Sequence, residues 1–204
     1  MMGRLKNNKV NEFRTKILVL MFVLFVLLWG YWGTLTAVPI LLMIIFMISV
    51  QFTTFLGSSW LPTPKAAIKL AAKEMKAAKA RKIYDLGSGD GRVVIALARE
   101  TGAEVVGIEL DPLKWLVSTA NIRIRGIKNA KILRKSFYNS DIGDADAVFT
   151  FLPQPTMDRL QAKLCRMEKG TLIISYWTKC TAIKPKKELK HEKLYIYRIG
   201  AKNG

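Results

Sequence analysis

The chain has 204 residues, 50% of them hydrophobic, with 33 Lys+Arg against 15 Asp+Glu and a formal net charge of +18. That length suits one domain plus an appendage. Its two cysteines, Cys165 and Cys180, are too few and too far apart for a metal cluster or a redox pair, and the single histidine, His191, builds neither a zinc site nor a Ser-His-Asp triad. Residues 1–16 form a basic tail with five basic and one acidic side chain. From Ile17 to Pro64 there is no charged residue at all. About 20 apolar residues span a bilayer, so this run predicts a membrane anchor over 17–58 with two crossings. The first covers Ile17 to about Gly33 and the second about Thr36 to Leu56, with a turn-like break at Gly30-Tyr31-Trp32-Gly33-Thr34. Pro39 then falls near the start of the second helix, where proline is tolerated. Trp29, Tyr31 and Trp32 are expected at one interface and Trp60 at the other, as an aromatic belt.

The next segment, residues 65–82, carries seven basic and one acidic side chain. Both flanks of the anchor are therefore positive and both are expected in the cytoplasm, which requires an even number of crossings. A single long tilted helix with a membrane-surface segment is the main rival. A cleaved signal peptide over Ile17–Leu28 is the weaker one, because no small-x-small site follows it. Residues 83–162 are balanced at ten basic and ten acidic side chains, and the last 42 residues again carry an excess of eight positive charges. An excess confined to the edges predicts attraction to anionic lipid headgroups. Nucleic acid is a weaker expectation, since no recognised nucleic-acid motif accompanies the charge.

Ser59-Trp60-Leu61-Pro62-Thr63-Pro64 reads as a stiff, extended exit. It opens a second domain, 59–204. Lys65 to about Lys79 has one modest apolar face and predicts a helix. Strands are expected at Lys82–Leu86, Glu104–Glu109, Ala130–Lys135, Ala145–Leu152 and Gly170–Trp177. Helices are expected at Arg92–Glu100, Pro112–Arg125 and Thr156–Met167. The alternating run Leu194–Ile199 closes an antiparallel edge hairpin. The fold class is α/β: a Rossmann-like, doubly wound seven-stranded sheet with helices on both faces, preceded by a transmembrane helical hairpin.

The most informative stretch is Asp85-Leu86-Gly87-Ser88-Gly89-Asp90-Gly91. It joins a strand to a helix through a glycine turn, and Glu109 ends the next strand, where a carboxylate can accept both hydroxyls of a ribose. The spacing is G-x-G-x-G, with Arg92 where a dinucleotide fingerprint wants its third glycine, and no G-K-[ST] follows. Asp85 and Asp90 would repel a pyrophosphate but suit a cation. S-adenosylmethionine carries an ammonium and a sulfonium, and the charge logic favours it over NAD or ATP. Ligands of such sheets sit beyond the carboxyl ends of the strands. That singles out Asp85 to Gly91, Glu109, Ser136-Phe137 and Phe151-Leu152-Pro153-Gln154.

Asp85-Leu86-Gly87-Ser88-Gly89-Asp90-Gly91-Arg92 with Gly107-Ile108-Glu109-Leu110 resembles the class I, seven-β-strand methyltransferases. Three further pieces are similar to a narrower group: Leu61–Pro64, Phe151–Gln154 and the segment Met157–Leu164. That group is the protein-lysine methyltransferases that include the broad-specificity archaeal enzyme and the mitochondrial enzymes acting on the c-ring protein of ATP synthase and on the adenine nucleotide translocase. The mitochondrial members also carry a hydrophobic N-terminal segment. The resemblance covers about residues 60–200. It implies that Asp85, Gly87 and Gly89 line the methionine moiety and that Ser88, Asp90, Gly91 and Leu110 are also cofactor-binding. Glu109 would hold the ribose, Ser136 and Phe137 would flank the adenine, and Thr63 and Pro64 would close the pocket. Many members have an acidic residue near Ser136, which this chain lacks.

For the transfer itself, Phe151, Tyr176 and Trp177 stand at or near strand ends and could wall a dry channel that strips a lysine amine of water and lowers its pKa. Pro153 lies in the same loop, and Gln154 could accept a hydrogen bond from the amine. The Asn/Asp-Pro-Pro-Tyr/Phe loop used on exocyclic amines is missing there. The expected partners are protein substrates with accessible lysines, including membrane-associated ones, and a membrane with anionic lipids. The catalytic domain is expected on the cytoplasmic face. Methylation of a lipid or membrane-soluble small molecule, and a non-catalytic membrane-bound module, are the alternatives.

Overall fold

A computed structural model describes residues 2–55 and 62–200, which fall into two compact units, one ending at Ile48 and the other running from Ser49. The first unit is formed by one uninterrupted helix, α1 (Met2–Phe55), whose last turns run past Ile48. This corrects the expected hairpin, because Gly30–Thr34 is helical throughout. Glycine keeps its backbone N–H and C=O, so each costs a helix only about 1 kcal/mol. Thr36 Oγ1 donates to the carbonyls of Trp32 (2.9 Å) and Gly33 (3.2 Å), one turn back, as a helical threonine does. Pro39 lies inside the helix rather than near a start. Trp29, Tyr31 and Trp32 fall near the middle of the apolar stretch Val19–Ile45, not at an end of it. The expected exit residues Ser59, Trp60 and Leu61 lie outside the described residues.

The second unit is built on a seven-stranded sheet. Its elements are α2 (Lys65–Ala77), β1 (Lys82–Leu86), α3 (Arg92–Thr101), β2 (Glu104–Glu109), α4 (Pro112–Ile124), β3 (Ala130–Arg134), β4 (Ala147–Thr150), α5 (Gln154–Leu164), β5 (Leu172–Tyr176), β6 (Lys187–Leu189) and β7 (Leu194–Arg198). The strand order is β3-β2-β1-β4-β5-β7-β6. The first five strands are parallel, and β7 is antiparallel to both β5 and β6, the expected closing hairpin.

Strand alternation sorts the core into two layers. Ile83, Val105, Ala147 and Ile174 face α2 and α3, whose buried stripes include Ala67, Ile68, Ala71 and Met75, and Val94, Leu97 and Ala98. Tyr84, Val106, Val148 and Ile173 face α5, through Met157, Leu160 and Leu164. Helices therefore cover both faces, as periodicity required. Several ends differ from expectation. Strand β4 is shorter at both ends, and α5 begins two residues earlier, so Gln154 is helical rather than in a loop. Pro155, at the start of α5, needs no N–H partner. Strand β5 stops before Trp177, whose φ of 71° leaves the extended region.

Candidate functional site

Strand order reverses between β1 and β4, so the loops leaving these neighbours part and open a cleft beyond their carboxyl ends. The glycine turn forms its floor. Gly87 N–H and Ser88 N–H both donate to Ile108 C=O (2.9 and 3.1 Å), which ties the turn to β2. Gly91 caps α3 at φ 80°, and a Cβ there would lie 2.9 Å from Ser118 Cβ of α4. Gly107 of β2 has the same role at the back, where a Cβ would lie 2.7 Å from Ser88 Oγ. Only glycine satisfies both demands, and the ligand-side backbone is brought forward as a result.

Two carboxylates dominate the cleft. Asp85 is the next-to-last residue of β1 and is 3% exposed. Burial, with Glu109 and Asp90 nearby, pushes its pKa up to about 8. Its Oδ2 has no hydrogen-bond partner. An orphaned buried carboxylate oxygen costs stability unless a ligand satisfies it. Glu109 is also buried. Its Oε2 accepts from Gly89 N–H (2.8 Å) and its Oε1 from Asp111 N–H (2.9 Å). Burial raises its pKa while those two backbone donors oppose the shift. Each carboxylate oxygen has a second lone pair, so Glu109 holds the loop and can still take ribose hydroxyls.

Asp90 does not act as the free second anion that the sequence suggested. Arg92 grips it through Nε (3.0 Å to each oxygen) and Nη2 (2.6 Å), which holds its carboxyl below the usual range despite partial burial. The cation-attracting pair facing the cleft is therefore Asp85 with Glu109.

Pro62, Thr63, Asp85, Gly87, Ser88, Gly89, Asp90, Glu109 and Phe151 line one continuous cleft, joined by Arg92, Val93, Lys114 and Phe149. Pro64 is exposed and begins α2 instead, and Pro62 takes the lining position. Gly91 sits behind the turn, against Ser118. Leu110, 40% exposed, stands just past Glu109. Ser136 and Phe137 follow β3 and do not line the cleft itself. Their loop is held from below by Lys163 of α5. Lys163 Nζ donates to the carbonyls of Phe137 (2.7 Å), Tyr138 (3.0 Å) and Ser140. Sequence reading missed this clamp, as it missed Lys114 and Phe149, because these contacts join residues far apart in the chain.

An aromatic row leaves the cleft from Phe151. The ring of Phe151 meets Tyr176 edge-on at 4.8 Å, and Tyr176 meets Trp177 at 6.3 Å. Trp177 is 56% exposed. Lys193 Nζ lies 3.3 Å from its ring centroid, and Trp177 N–H donates to Lys193 C=O at 2.6 Å. Both residues have positive φ, 71° and 53°. Such backbone strain in a bulky residue is kept only where surrounding contacts fix it. Pro153 precedes α5. Gln154 Nε2 donates to Asp158 Oδ1 (2.7 Å) and Lys179 C=O (3.0 Å), which turns its amide toward α5 and the loop after β5.

The donor set fits S-adenosylmethionine. An unpartnered buried carboxylate meets an ammonium, a second carboxylate is free to meet ribose hydroxyls, and glycine backbone lies against the chain between them.

Comparison with known proteins agrees with this geometry. The profile of the ANTKMT methyltransferase domain matches residues 85–187. A protein-lysine N-methyltransferase of Saccharolobus islandicus (strain REY15A) is 29% identical over 150 residues, 69% of this chain and 93% of the relative. The lysine N-methyltransferase of Mus musculus named for the c-ring protein of ATP synthase is 31% identical over 158 residues, 72% of this chain and 61% of the relative. Among solved structures, an RNA methyltransferase from Salinibacter ruber in complex with S-adenosyl-L-homocysteine superposes with a TM-score of 0.63 at 29% identity. It covers 68% of this chain and 92% of that one.

Proposed function

From the premise that this chain belongs to the ANTKMT methyltransferase domain family and takes its methyl group from S-adenosylmethionine, we propose that it methylates the ε-amine of protein lysines at a membrane surface. The observation that carries the lysine assignment is the aromatic row Phe151–Tyr176–Trp177, whose outer ring already has a lysine ammonium seated on it. Aromatic faces attract alkylammonium groups. The archaeal and mouse relatives are both named as lysine methyltransferases.

Each residue then has a physical task. Asp85 receives the cofactor's ammonium, Glu109 the ribose hydroxyls, and Leu110 with Ser136 and Phe137 the adenine side. Thr63, beside Pro62, covers the methionine end. When bound, the cofactor would supply a methyl group on a sulfonium; an uncharged amine attacking in line would take the methyl, becoming a methylammonium and leaving a neutral thioether. A lysine amine titrates at about 10.4 in water and must first lose its proton. Phe151 and Tyr176 strip water from the incoming side chain, which favours the neutral form. The ring of Trp177 holds the cation before that loss. Pro153 and Gln154 shape the mouth of the channel, with the Gln154 amide oxygen available to the amine. Alignment supplies the rest of the acceleration.

The membrane part rests on α1. Its apolar stretch Val19–Ile45 is 27 residues long, about 40 Å at 1.5 Å per residue, enough to cross a hydrocarbon core of about 30 Å. With one crossing, one positive flank must lie outside. Residues 65–82 carry seven basic side chains against five in residues 1–16, so the flank joined to the catalytic domain is assigned to the cytoplasm, where the cofactor is made.

A second reading, methylation of RNA, is favoured by the Salinibacter ruber neighbour and by the net charge of +18. Incubating the full chain with methyl-tritiated S-adenosylmethionine and a membrane-containing cell extract separates the two. Label is expected in protein and, after hydrolysis, in methyl-lysines. Label confined to RNA or to lipid would overturn the lysine assignment.

A further inference from the structure

Helix α4 is apolar on two sides. Ser118 and Ile122 are buried against the domain. Leu113, Leu116, Val117 and Ile124 face outward at 41%, 58%, 51% and 83% exposure. Their spacing of three, four and seven residues, with Ala120 between, places them on one stripe opposite Ile122. A surface helix ordinarily shows water its polar side. Here Arg123 borders one edge of the stripe, Arg125 follows at the helix C-cap on the side of the buried Ser118, and Lys128 lies just past it, all exposed. From Pro112 to Asn129 there is no acidic residue. Beside Arg125 opens a groove between α2, α3 and α4 that adds Lys65, Lys69, Arg92 and Arg99 against the carboxylates Asp90 and Glu100, a net positive lining.

We propose that the outward face of α4 is a membrane-docking surface that lies on an anionic lipid bilayer. The apolar stripe enters the headgroup–acyl boundary, and the bordering cations together with the groove rim take lipid phosphates. An apolar strip edged by arginine and lysine is the pattern of helices that lie in the interface plane, about 5–10 Å deep. Every charged side chain in residues 112–129 is basic, which complements an anionic bilayer rather than a partner of mixed charge. A second copy of the chain would bring those cations against each other. The inference goes beyond the reading of α1 as an anchor and rests on it only for bringing the domain near a bilayer.

The test is hydrogen exchange on the full chain reconstituted into vesicles of phosphatidylcholine alone and of phosphatidylcholine with phosphatidylglycerol, with flotation measured in parallel. Amides of 113–124 are expected to exchange more slowly in the anionic vesicles, on the order of tenfold. The triple variant Leu116→Ser, Val117→Ser, Ile124→Ser should lose that protection while still floating and still binding S-adenosylmethionine. Equal exchange in both vesicle types would overturn the proposal. So would protection that grows with protein concentration in neutral vesicles, the mark of a second copy. Failure to float would instead count against the anchor. In that case the soluble chain mixed with preformed vesicles decides the α4 claim by the same protection.

Discussion

Asp85 keeps a buried carboxyl with an unpartnered oxygen and a pKa pushed up to about 8 by burial. A carboxyl raised in the folded state holds a proton that the unfolded chain has already lost. It therefore costs nothing below its unfolded value, about 3.9, and costs stability progressively as pH rises toward about 8. The ligand-free protein is expected to lose thermal stability across that window, and Asp85→Asn to flatten the loss. An ammonium favours the carboxylate, so S-adenosylmethionine binding should tighten from about pH 5.5 to pH 7, before the cofactor's own amine begins to titrate. Calorimetry over that range should find no such tightening in Asp85→Asn and weaker binding at neutral pH. A pH-independent affinity in the unaltered protein would remove Asp85 from the role. This residue and Glu109 were legible because spacing alone assigns them to adjacent strand ends. Asp90 was misread, because nothing in the spacing tells which carboxylate Arg92 will grip.

At the level of elements, a single ammonium organises the loop after β3. Lys163 donates to three carbonyls there, and burial lowers its pKa. Replacing it with methionine keeps the length of the stem but orphans those acceptors, at a cost of about 1–3 kcal/mol. Lys163→Met is expected to weaken S-adenosylmethionine binding while kcat at saturation changes little, since the acceptor channel is built from other strands. Lys163→Arg should recover part of the affinity. Loss of stability with unchanged cofactor affinity in both variants would make the clamp purely architectural. The elements themselves were read well because each of strands β1 to β5 holds a short apolar run between turn residues or charge. Their ends were read less well. Trp177 looks like one more strand residue, and only the hydrogen bond to Lys193 shows why β5 must stop before it.

For the whole molecule, the expected hairpin gave way to one helix. Two glycines in five residues look like a turn, but neither removes a hydrogen bond, and apolar neighbours on both sides carry the helix through. A single crossing predicts that the basic tail and the catalytic domain lie on opposite sides of the membrane. Protease added to sealed right-side-out vesicles should remove an epitope placed before Arg4 and spare one placed after Ile199. Protection of both epitopes would sink that topology.

The proposed membrane anchor would change what specificity means for this protein. On the proposed anchoring, a catalytic domain carried on the same chain as a bilayer-crossing helix works close to the membrane, and lysines far from that surface are met rarely whatever their sequence. Proteins diffusing in the same sheet are met again and again, in two dimensions. Substrate choice could then be made by height and address rather than by a recognition motif, and the exposed aromatic mouth at Trp177 would need to know little more than that a lysine has arrived.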